Sequence, residues 1–296
     1  MSGPSGWLII DKPLGLTSAQ VVGKLKWALR NAGHGKVKTG HGGTLDPLAT
    51  GVLPVALGEA TKLAGYLLNG PKGYDFAIRF GQSTTTDDAE GAVVLESAHR
   101  PTAADIAAVL PQFTGRIRQR PPAYSALKVD GERAYKLARA GAPPELAERE
   151  VTIKTLTLCE SERDCARFSV ACSKGTYVRS LARDLAAALG TVGHVCALRR
   201  TVAGPFTLDQ ALVLDSAMEI VQRRALEQAL LPLTAGLDDI PVLAVDPAEA
   251  LALSQGKRLE GPRADPGLHI ATLGSVPVAL VEVCENDVRV VRGFNP

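Results

Sequence analysis

The sequence predicts an α+β protein: a mixed, mainly antiparallel central sheet flanked by helices, followed by a small, mostly β module at the C-terminal end. Helical and strand-like segments succeed one another without the regular strand–helix–strand repeat of doubly wound proteins. Of the 296 residues, 46% are hydrophobic and 22% are charged, which is typical of a globular chain. A chain of this length buries enough surface to fold without disulfides.

The helical segments are predicted from apolar residues that recur three and four positions apart. The first segment has one apolar face, formed by Val21, Val22, Leu25 and Leu29. Thr17 precedes this face and can cap the helix, and Gly33 ends it. Further helices are predicted at 60–68, 102–110, 132–140, 177–189 and 212–231.

Strands are predicted where apolar and polar residues alternate. The clearest case runs from Tyr74 to Phe80, where aromatic and aliphatic residues alternate with Asp75, Ala77 and Arg79. Residues 93–95 are interpreted as the partner of this strand. Other strands are predicted at 151–158, 166–172 and 195–202.

The chain is predicted to divide near Pro232 to Gly236 into a large domain, 1–236, and a small module, 237–296. The small module contains a short helix capped by Asp246 and strands at 278–283 and 288–291. These elements suffice for a small, mostly β unit.

Positive charge is concentrated in two stretches, although the formal net charge is only +2. Between residues 12 and 41 the cations are Lys12, Lys24, Lys26, Arg30, Lys36 and Lys38, and no acid interrupts them. Between residues 111 and 129 they are Arg116, Arg118, Arg120 and Lys128, again without an acid. If both stretches share a face, that face attracts phosphates. Alternatively, they are two solvated surfaces without a partner.

Several classes of protein are disfavoured by what the sequence contains. The five cysteines form no close CxxC pair and no zinc-type spacing with histidines, so we expect reduced thiols, no metal site and a cytoplasmic protein. The apolar runs are far shorter than the roughly 18 residues of a membrane helix, and the first residues do not resemble a signal peptide. No nucleotide-binding glycine motif follows a predicted strand, so no cofactor is expected.

Asp46 is the strongest candidate for chemistry. It lies in the segment 40–62, GHGGTLDPLATGVLPVALGEATK, between Leu45 and Pro47. Pro47 disfavours helical geometry at Asp46, and the preceding glycines allow another backbone to approach closely. An acid on such a tight, apolar loop is either a catalytic group or a structural turn residue, and the pattern alone leaves both open.

Five blocks of the sequence together resemble the TruB family of tRNA pseudouridine synthases, over residues 6 to about 205. Besides the Asp46 loop, they are GWLIIDKPLGLTS, KGYDFAIRFGQSTTTDDAEG, RPPAYSALKVDGERAYKLARAG and CSKGTYVRSLARDLAAALGTVGHVCALRRT. The resemblance implies the pseudouridine synthase fold and an enzyme that isomerises uridine 55 in the T loop of tRNA without a cofactor. Small departures, such as Gly42 where threonine is common in the family, affect only the surroundings of the aspartate.

The resemblance also implies roles for individual residues. Asp46 matches the family aspartate that acts as nucleophile or deprotonates the sugar, and it is expected to be ionised in a dry pocket. Arg179 matches the partner that keeps this aspartate charged, although by itself it could be a surface arginine on an amphipathic helix. Tyr74 matches a tyrosine that stacks on the target base and is a candidate proton abstractor, although a core aromatic is the plainer interpretation.

Further residues match positions that surround the flipped base. Tyr177 and Leu198 match residues lining the uracil, and Leu198 alone would be assigned to the core. His41 matches the residue that takes the place of the displaced base in the T loop. Asp88 matches a family aspartate that we interpret as structural or indirectly supportive.

The expected partner is the T arm of tRNA, whose phosphates would contact Lys24, Lys26, Arg116, Arg118 and Lys128. The C-terminal module resembles the PUA-like RNA-binding module weakly, through 255–257 and 290–294. Because neither a lysine-rich tail nor a long N-terminal extension is present, the guide-RNA-dependent relatives are the poorer match, and we expect a monomer that works without guide RNA. The alternative is an RNA-binding chaperone that folds the tRNA elbow. A third reading is an unrelated hydrolase with an aspartate nucleophile. It would need a second acid or base to activate water, and the sequence shows no pair of such residues at a suitable spacing.

Overall fold

The computed structural model describes residues 3–129, 131–237 and 240–295. The helices are α1 (Ser18–Asn31), α2 (Ala64–Leu67), α3 (Ala103–Val109), α4 (Ala134–Arg139), α5 (Val178–Ala188), α6 (Leu214–Gln222) and α7 (Pro247–Ser254). The strands of the first half are β1 (Gly6–Lys12), β2 (Thr39–His41), β3 (Ala49–Leu57), β4 (Lys72–Phe80), β5 (Gln82–Thr84), β6 (Val93–Glu96), β7 (Gly115–Gln119), β8 (Lys128–Val129) and β9 (Glu132–Arg133). Those of the second half are β10 (Arg149–Ser161), β11 (Cys165–Cys172), β12 (Gly193–Ala203), β13 (Phe206–Thr207), β14 (Leu212–Val213), β15 (Val242–Ala244), β16 (Leu259–Glu260), β17 (Gly267–Leu273), β18 (Val276–Val283) and β19 (Asp287–Gly293).

A ten-stranded mixed sheet organises the large domain. Its strand order is β14-β1-β3-β12-β4-β11-β10-β7, with β2 added to β3 and β13 to β12. Within this sheet, only the β1–β14 and β3–β12 pairs are parallel among the described strands. The predicted α+β class with a mainly antiparallel mixed sheet is therefore confirmed.

Helix α1 forms as its sequence predicts. The Thr17 hydroxyl accepts a hydrogen bond from the backbone N–H of Gln20, whose side chain in turn accepts from the Thr17 backbone, which completes a capping box. The apolar positions of the helix are buried against the large sheet. Gly33 follows the helix with φ +82°, a conformation that glycine adopts without strain.

The predicted helix at 212–231 is wrong in extent. Residues 212–213 pair with β1 instead, and α6 ends at Gln222 because Arg224 adopts φ +57°. The predicted helices at 60–68 and 132–140 are likewise shorter, because the first begins with a 3-10 turn and the second with the β-pairing of Glu132 and Arg133.

The predicted partner of the Tyr74 strand is also wrong. Residues 93–95 lie in β6 and pair with β5. They cannot pair with β4, because both edges of that strand are already occupied by β11 and β12. Alternation identified the strands, but it carries no information about their order in the sheet.

Two hydrophobic cores meet at the centre of the sheet. One lies beneath α1 and α6, between the helices and strands β1 and β3. The other lies beneath α5, against β4, β10 and β11. Tyr74 and Leu198 pack against both cores, so these two side chains mark the seam between them.

A separate five-stranded sheet, in the order β15-β17-β18-β19-β16, forms the C-terminal part. Asp246 caps α7 as predicted, with a capping box to Glu249. This sheet shares a core with the large domain, in which Ile270, Leu280 and Phe294 pack in one cluster with Trp7. The boundary at 236/237 stays a prediction, and Asp238 and Asp239 lie outside the described residues. In the described ranges, no helix is long and apolar enough to cross a membrane.

Candidate active site

The loop that carries Asp46 connects β2 to β3 and is fixed at several points. The backbone N–H of Gly42 donates to the Pro54 carbonyl over 2.8 Å, and a Cβ at Gly42 would lie 2.3 Å from the Leu67 side chain. Ser18 holds the other end, because its hydroxyl accepts from the Leu45 N–H (2.8 Å) and donates to the Leu45 carbonyl (3.2 Å). The glycines thus permit a close approach, and the loop presents the next residue, Asp46, in a fixed position.

Arg179, the second residue of α5, reaches this loop. Its Nη2 lies 2.9 Å from Oδ2 of Asp46, and its Nη1 lies 3.3 Å from Oδ2 of Asp88. The same two nitrogens donate to the carbonyls of Thr86 (3.0 Å) and Tyr124 (2.9 Å). The guanidinium therefore sits among two carboxylates and two carbonyls, a geometry that its rigid fork of donors suits.

Exposure differs sharply within this cluster. The side chains of Arg179 and Asp88 are 6% and 3% exposed, whereas that of Asp46 is 40% exposed. The expectation that Asp46 lies in a dry pocket is therefore wrong for the free protein. Its carboxylate is partly open to solvent, and a bound ligand that covers it would exclude water from it.

Tyr74 lies on β4 directly opposite Arg200 of β12. Burial raises the pKa of the Tyr74 phenol above its usual value of about 10, and the charge and hydrogen bonding of Arg200 oppose that rise only in part. The phenol is thus neutral at physiological pH. The raised pKa argues against proton abstraction by Tyr74 and leaves its stacking role open.

Leu198 lies within the sheet, whereas Tyr177 lies at the start of a helix. Leu198 pairs with Ala49 on one neighbouring strand and with Phe76 on the other, so it lies at the centre of the sheet. Tyr177 immediately precedes α5, and the Arg149 guanidinium lies 4.6 Å from the centre of its ring. That cation–π contact fixes the tyrosine ring from the side of β10.

His41 is the last residue of β2 and is half-buried. Its Nδ1 has no hydrogen-bond partner among the described residues, although the atom is buried. Burial, and secondarily the charge of Arg200, lower the pKa of His41, so the imidazole is neutral at pH 7. A buried ring nitrogen without a partner is suited to a hydrogen bond with a ligand.

Three charged residues were not assigned to the site from the sequence. Asp88, interpreted as indirectly supportive, forms a direct ion pair with Arg179. Lys12, counted as a surface cation, is fully buried and donates to the carbonyls of Leu16 (2.5 Å) and Pro47 (3.4 Å). Arg200 is buried beneath the Asp46 loop. The one available signal was position, since Lys12 is the last residue of a mostly apolar strand and Arg200 lies within a strand.

Burial and neighbouring charges also shift the pKa of Lys12. Removal from water lowers the pKa of Lys12 to about 8, although the nearby Asp46 and Glu90 carboxylates raise it. Lys12 is therefore part of the support of the loop rather than of a positive surface.

The two basic stretches lie toward opposite ends of the large sheet. Lys24 and Lys26 are exposed on α1, and a groove of about 460 Å³ beside them is lined by Lys26, Arg30, Lys36 and Lys38. Arg116 and Arg118 are exposed on β7, which is the far edge strand, and Lys128 is exposed on β8. The stretches thus lie far apart along the sheet and do not merge into one patch. In the described part of the chain, no group of three or more His, Cys, Asp or Glu side chains could hold a metal ion.

Comparisons with known proteins agree with this architecture. Residues 30–178 match the family described as TruB family pseudouridylate synthase (N terminal domain), and residues 179–238 match the tRNA pseudouridylate synthase B C-terminal domain. The chain belongs to the TruB family. Family membership confirms the resemblance that the five sequence blocks indicated.

Relatives in the family extend over nearly the whole chain. The tRNA pseudouridine synthase B of Zymomonas mobilis is 54% identical over 290 residues, which cover 98% of this chain and 96% of that protein. The protein of the same name from Novosphingobium aromaticivorans is also 54% identical, covering 98% and 97%.

Solved structures share the fold at lower identity. A Cbf5-Nop10-Gar1 complex contains a chain that matches with a TM-score of 0.77 and 27% identity, covering 98% of this chain and 85% of that one. An H/ACA RNP bound to a substrate RNA containing 2'-deoxyuridine matches with a TM-score of 0.76, 25% identity and the same coverage. The family fold therefore includes both the large mixed sheet and the C-terminal sheet.

Proposed function

We propose that this protein isomerises uridine to pseudouridine in tRNA, at position 55 of the T loop. The observation that carries the proposal is the ion pair of Asp46 and Arg179, together with Tyr74 and Leu198 at the seam between the two cores. The relatives named tRNA pseudouridine synthase B support tRNA as the substrate, and the T-loop position follows from the resemblance of the sequence blocks.

The reaction conserves all atoms of the uridine. The bond from ribose C1′ to uracil N1 breaks, the ring turns, and C1′ joins C5; the proton of C5 leaves and N1 gains one. Asp46 is the carboxylate that either attacks C1′ or removes a proton from the sugar. No cofactor is required, because the bond that forms replaces the bond that breaks.

Arg179 pairs with Asp46 and orients it. Its guanidinium is buried and also pairs with Asp88, so its position in the protein is fixed. Asp88 is thus a positioning residue that acts through Arg179.

The target base must leave the folded T loop to reach Asp46, at a cost of roughly a few kcal/mol. Once inside, it would stack on Tyr74, contact Leu198 and Tyr177, and cover the exposed Asp46 carboxylate. His41, with its buried Nδ1 lacking a partner in the described ranges, is placed to bond an RNA group that the flipped base leaves behind.

RNA phosphates would be held on both sides of the cleft. The groove at Lys26 and Arg30 provides one cationic wall, and Arg116, Arg118 and Lys128 provide the other. We further propose that the protein acts as a cytoplasmic monomer without guide RNA, and that residues 237–296 contact a second part of the tRNA.

The decisive experiment incubates the purified protein with an unmodified tRNA transcript and maps pseudouridine at single-nucleotide resolution. We expect pseudouridine at position 55 alone, and none with Asp46→Asn or with a transcript carrying cytidine at that position. Absence of product from the wild-type protein would refute the proposed function. Product from Asp46→Asn at the wild-type rate would refute the role of Asp46.

A second activity, RNA folding at the tRNA elbow, is favoured by the basic groove and the C-terminal module, neither of which requires Asp46. An Asp46→Asn protein that still accelerates tRNA folding would separate this activity from isomerisation. If folding is lost together with catalysis, the chaperone alternative fails.

A further inference from the structure

Arg200 is a buried cation without an anionic partner. It is 1% exposed, and within the described ranges its guanidinium forms no ion pair with a carboxylate. Its neighbour Arg199 behaves differently, because it is 39% exposed and pairs with both carboxylate oxygens of Asp11, at 3.0 and 2.7 Å. Burying a guanidinium without a carboxylate partner costs free energy. We therefore ask which function the buried Arg200 serves.

The contacts of Arg200 lead to the catalytic loop. Nη2 donates to the Gly43 carbonyl over 3.2 Å, and Nη1 donates to the Thr44 carbonyl over 3.4 Å. Nε points the other way and donates to Val52 of β3 over 2.8 Å. The planar side chain therefore ties the backbone two and three residues before Asp46 to the central strand of the sheet.

The same guanidinium faces Tyr74. The two residues are directly opposite each other across β4 and β12, and the interaction lowers the pKa of Tyr74 against the effect of burial. Asp46 and Cys172 are the other titratable groups that act on this phenol. Because a guanidinium can only donate, it can reach Tyr74 only through the oxygen of the hydroxyl.

We propose that Arg200 is a positioning residue that couples the catalytic loop, through the carbonyls of Gly43 and Thr44, to Tyr74, and so sets the distance between the Asp46 carboxylate and the surface on which the base stacks. This inference rests on the proposed isomerisation. Arginine is required because one ammonium nitrogen cannot reach Val52 and both loop carbonyls at once. A displacement of the loop by about 1 Å is enough to slow a positioned reaction roughly a hundredfold.

The test compares Arg200→Lys and Arg200→Met with Arg199→Met, the matched control on the same strand. The readouts are the single-turnover rate at saturating tRNA, the Kd for tRNA, and the pKa of Tyr74 from ¹³C-tyrosine NMR, assigned with Tyr74→Phe. We expect Arg200→Lys to lower the rate at least about tenfold with Kd changed less than about threefold. Arg200→Met should also raise the pKa of Tyr74, and Arg199→Met should leave all three quantities near wild type.

A double-mutant cycle separates coupling from general damage. If Arg200 acts through Tyr74, adding Arg200→Lys to Tyr74→Phe costs less than adding it to the wild type. Fully additive losses would contradict the coupling. So would wild-type rates in both Arg200 variants, or a loss confined to tRNA affinity.

Circular dichroism and thermal unfolding establish whether the variants fold. If neither Arg200 variant folds, Tyr74→Phe is used for the test, because it leaves Arg200 in place. In the NMR spectra of this variant, the ¹⁵N side-chain signals of Arg200 and the amide signals of Gly43 and Thr44 should all shift relative to the wild type. Unchanged loop signals would overturn the inference. Wild-type protein on the same tRNA is the reference, so its failure to form pseudouridine would refute the proposed function and not the role of Arg200.

Discussion

Charge is distributed in opposite ways in the large domain and in the C-terminal sheet. The large domain buries four cationic side chains: Lys12, Lys72, Arg179 and Arg200. In residues 240–295, by contrast, the ion pairs lie on the surface, as with Arg289 and Asp287, and the core is apolar. Buried charges cost free energy, and three of the four, Lys12, Arg179 and Arg200, contact Asp46 or the loop that carries it.

The largest effect is expected from Arg179→Met. The change would leave Asp88, which is almost fully buried, without its cation, and we expect a loss of about 3 to 5 kcal/mol in the free energy of unfolding. Pseudouridine formation should fall at least about a hundredfold, because Asp46 loses its fixed partner. Urea denaturation and single-turnover assays measure the two effects.

Arg183→Met is the matched control for this change. Arg183 lies one turn later on α5, is one-third exposed, and pairs with Asp87 and Asp184. Its loss should cost clearly less stability than that of Arg179. Equal stability losses in the two variants would contradict the distinction between buried site charges and peripheral ones.

The next effect is a pH-dependent difference in the free energy of unfolding between the wild type and Lys72→Met. Lys72 donates to the carbonyls of Leu67 (3.3 Å) and Gly70 (2.7 Å), and burial, together with Arg200, lowers its pKa from 10.5 to about 8. Between these pH values the unfolded chain binds the proton more tightly than the folded protein does. The wild type should therefore gain stability relative to the variant as the pH rises from 8 to 10.

Urea denaturation at pH 7.5 and at roughly pH 9.5 measures this gain, which should be on the order of 1 to 3 kcal/mol. Below pH 8 the difference between the two proteins should be constant, because Lys72 is protonated in both the folded and unfolded states. A difference that does not change between the two pH values would show that Lys72 is not strained by burial.

A smaller effect is expected at the basic walls of the cleft. Lys26→Ala and Arg118→Ala should each weaken tRNA binding and reduce the slope of log K against log salt by up to about 1, with little change in the single-turnover rate. Arg167→Gln, an exposed arginine paired with Glu160, is the control. If binding by the wild type is independent of salt, these stretches do not contact RNA.

The smallest effect is expected in the C-terminal sheet. Arg263→Gln removes a partly exposed partner of Glu249 at the start of α7, and we expect the Tm to change by less than about 2 °C. A drop comparable with that of Arg179→Met would remove the contrast between the two regions.

The sequence predicted individual elements better than their arrangement. The capping boxes at Thr17 and Asp246 and the alternation from Tyr74 to Phe80 produced the expected helices and strand. The pairing of 93–95 and the extent of the 212–231 helix were wrong, because strand order and the end of α6 depend on distant partners. Local patterns contain no information about which edge of a strand is already occupied.

The site shows the same division. By itself, the sequence determined that Asp46 lies on a tight, glycine-flanked loop, and the family blocks predicted which residues accompany it. Only the tertiary structure decided that Asp46 is exposed while Arg179 and Asp88 are buried, and that Arg200 supports the loop from beneath. The physical reason is that loop conformation follows from neighbouring residues, whereas burial and electrostatic environment arise from residues more than a hundred positions away that meet only when the sheet closes.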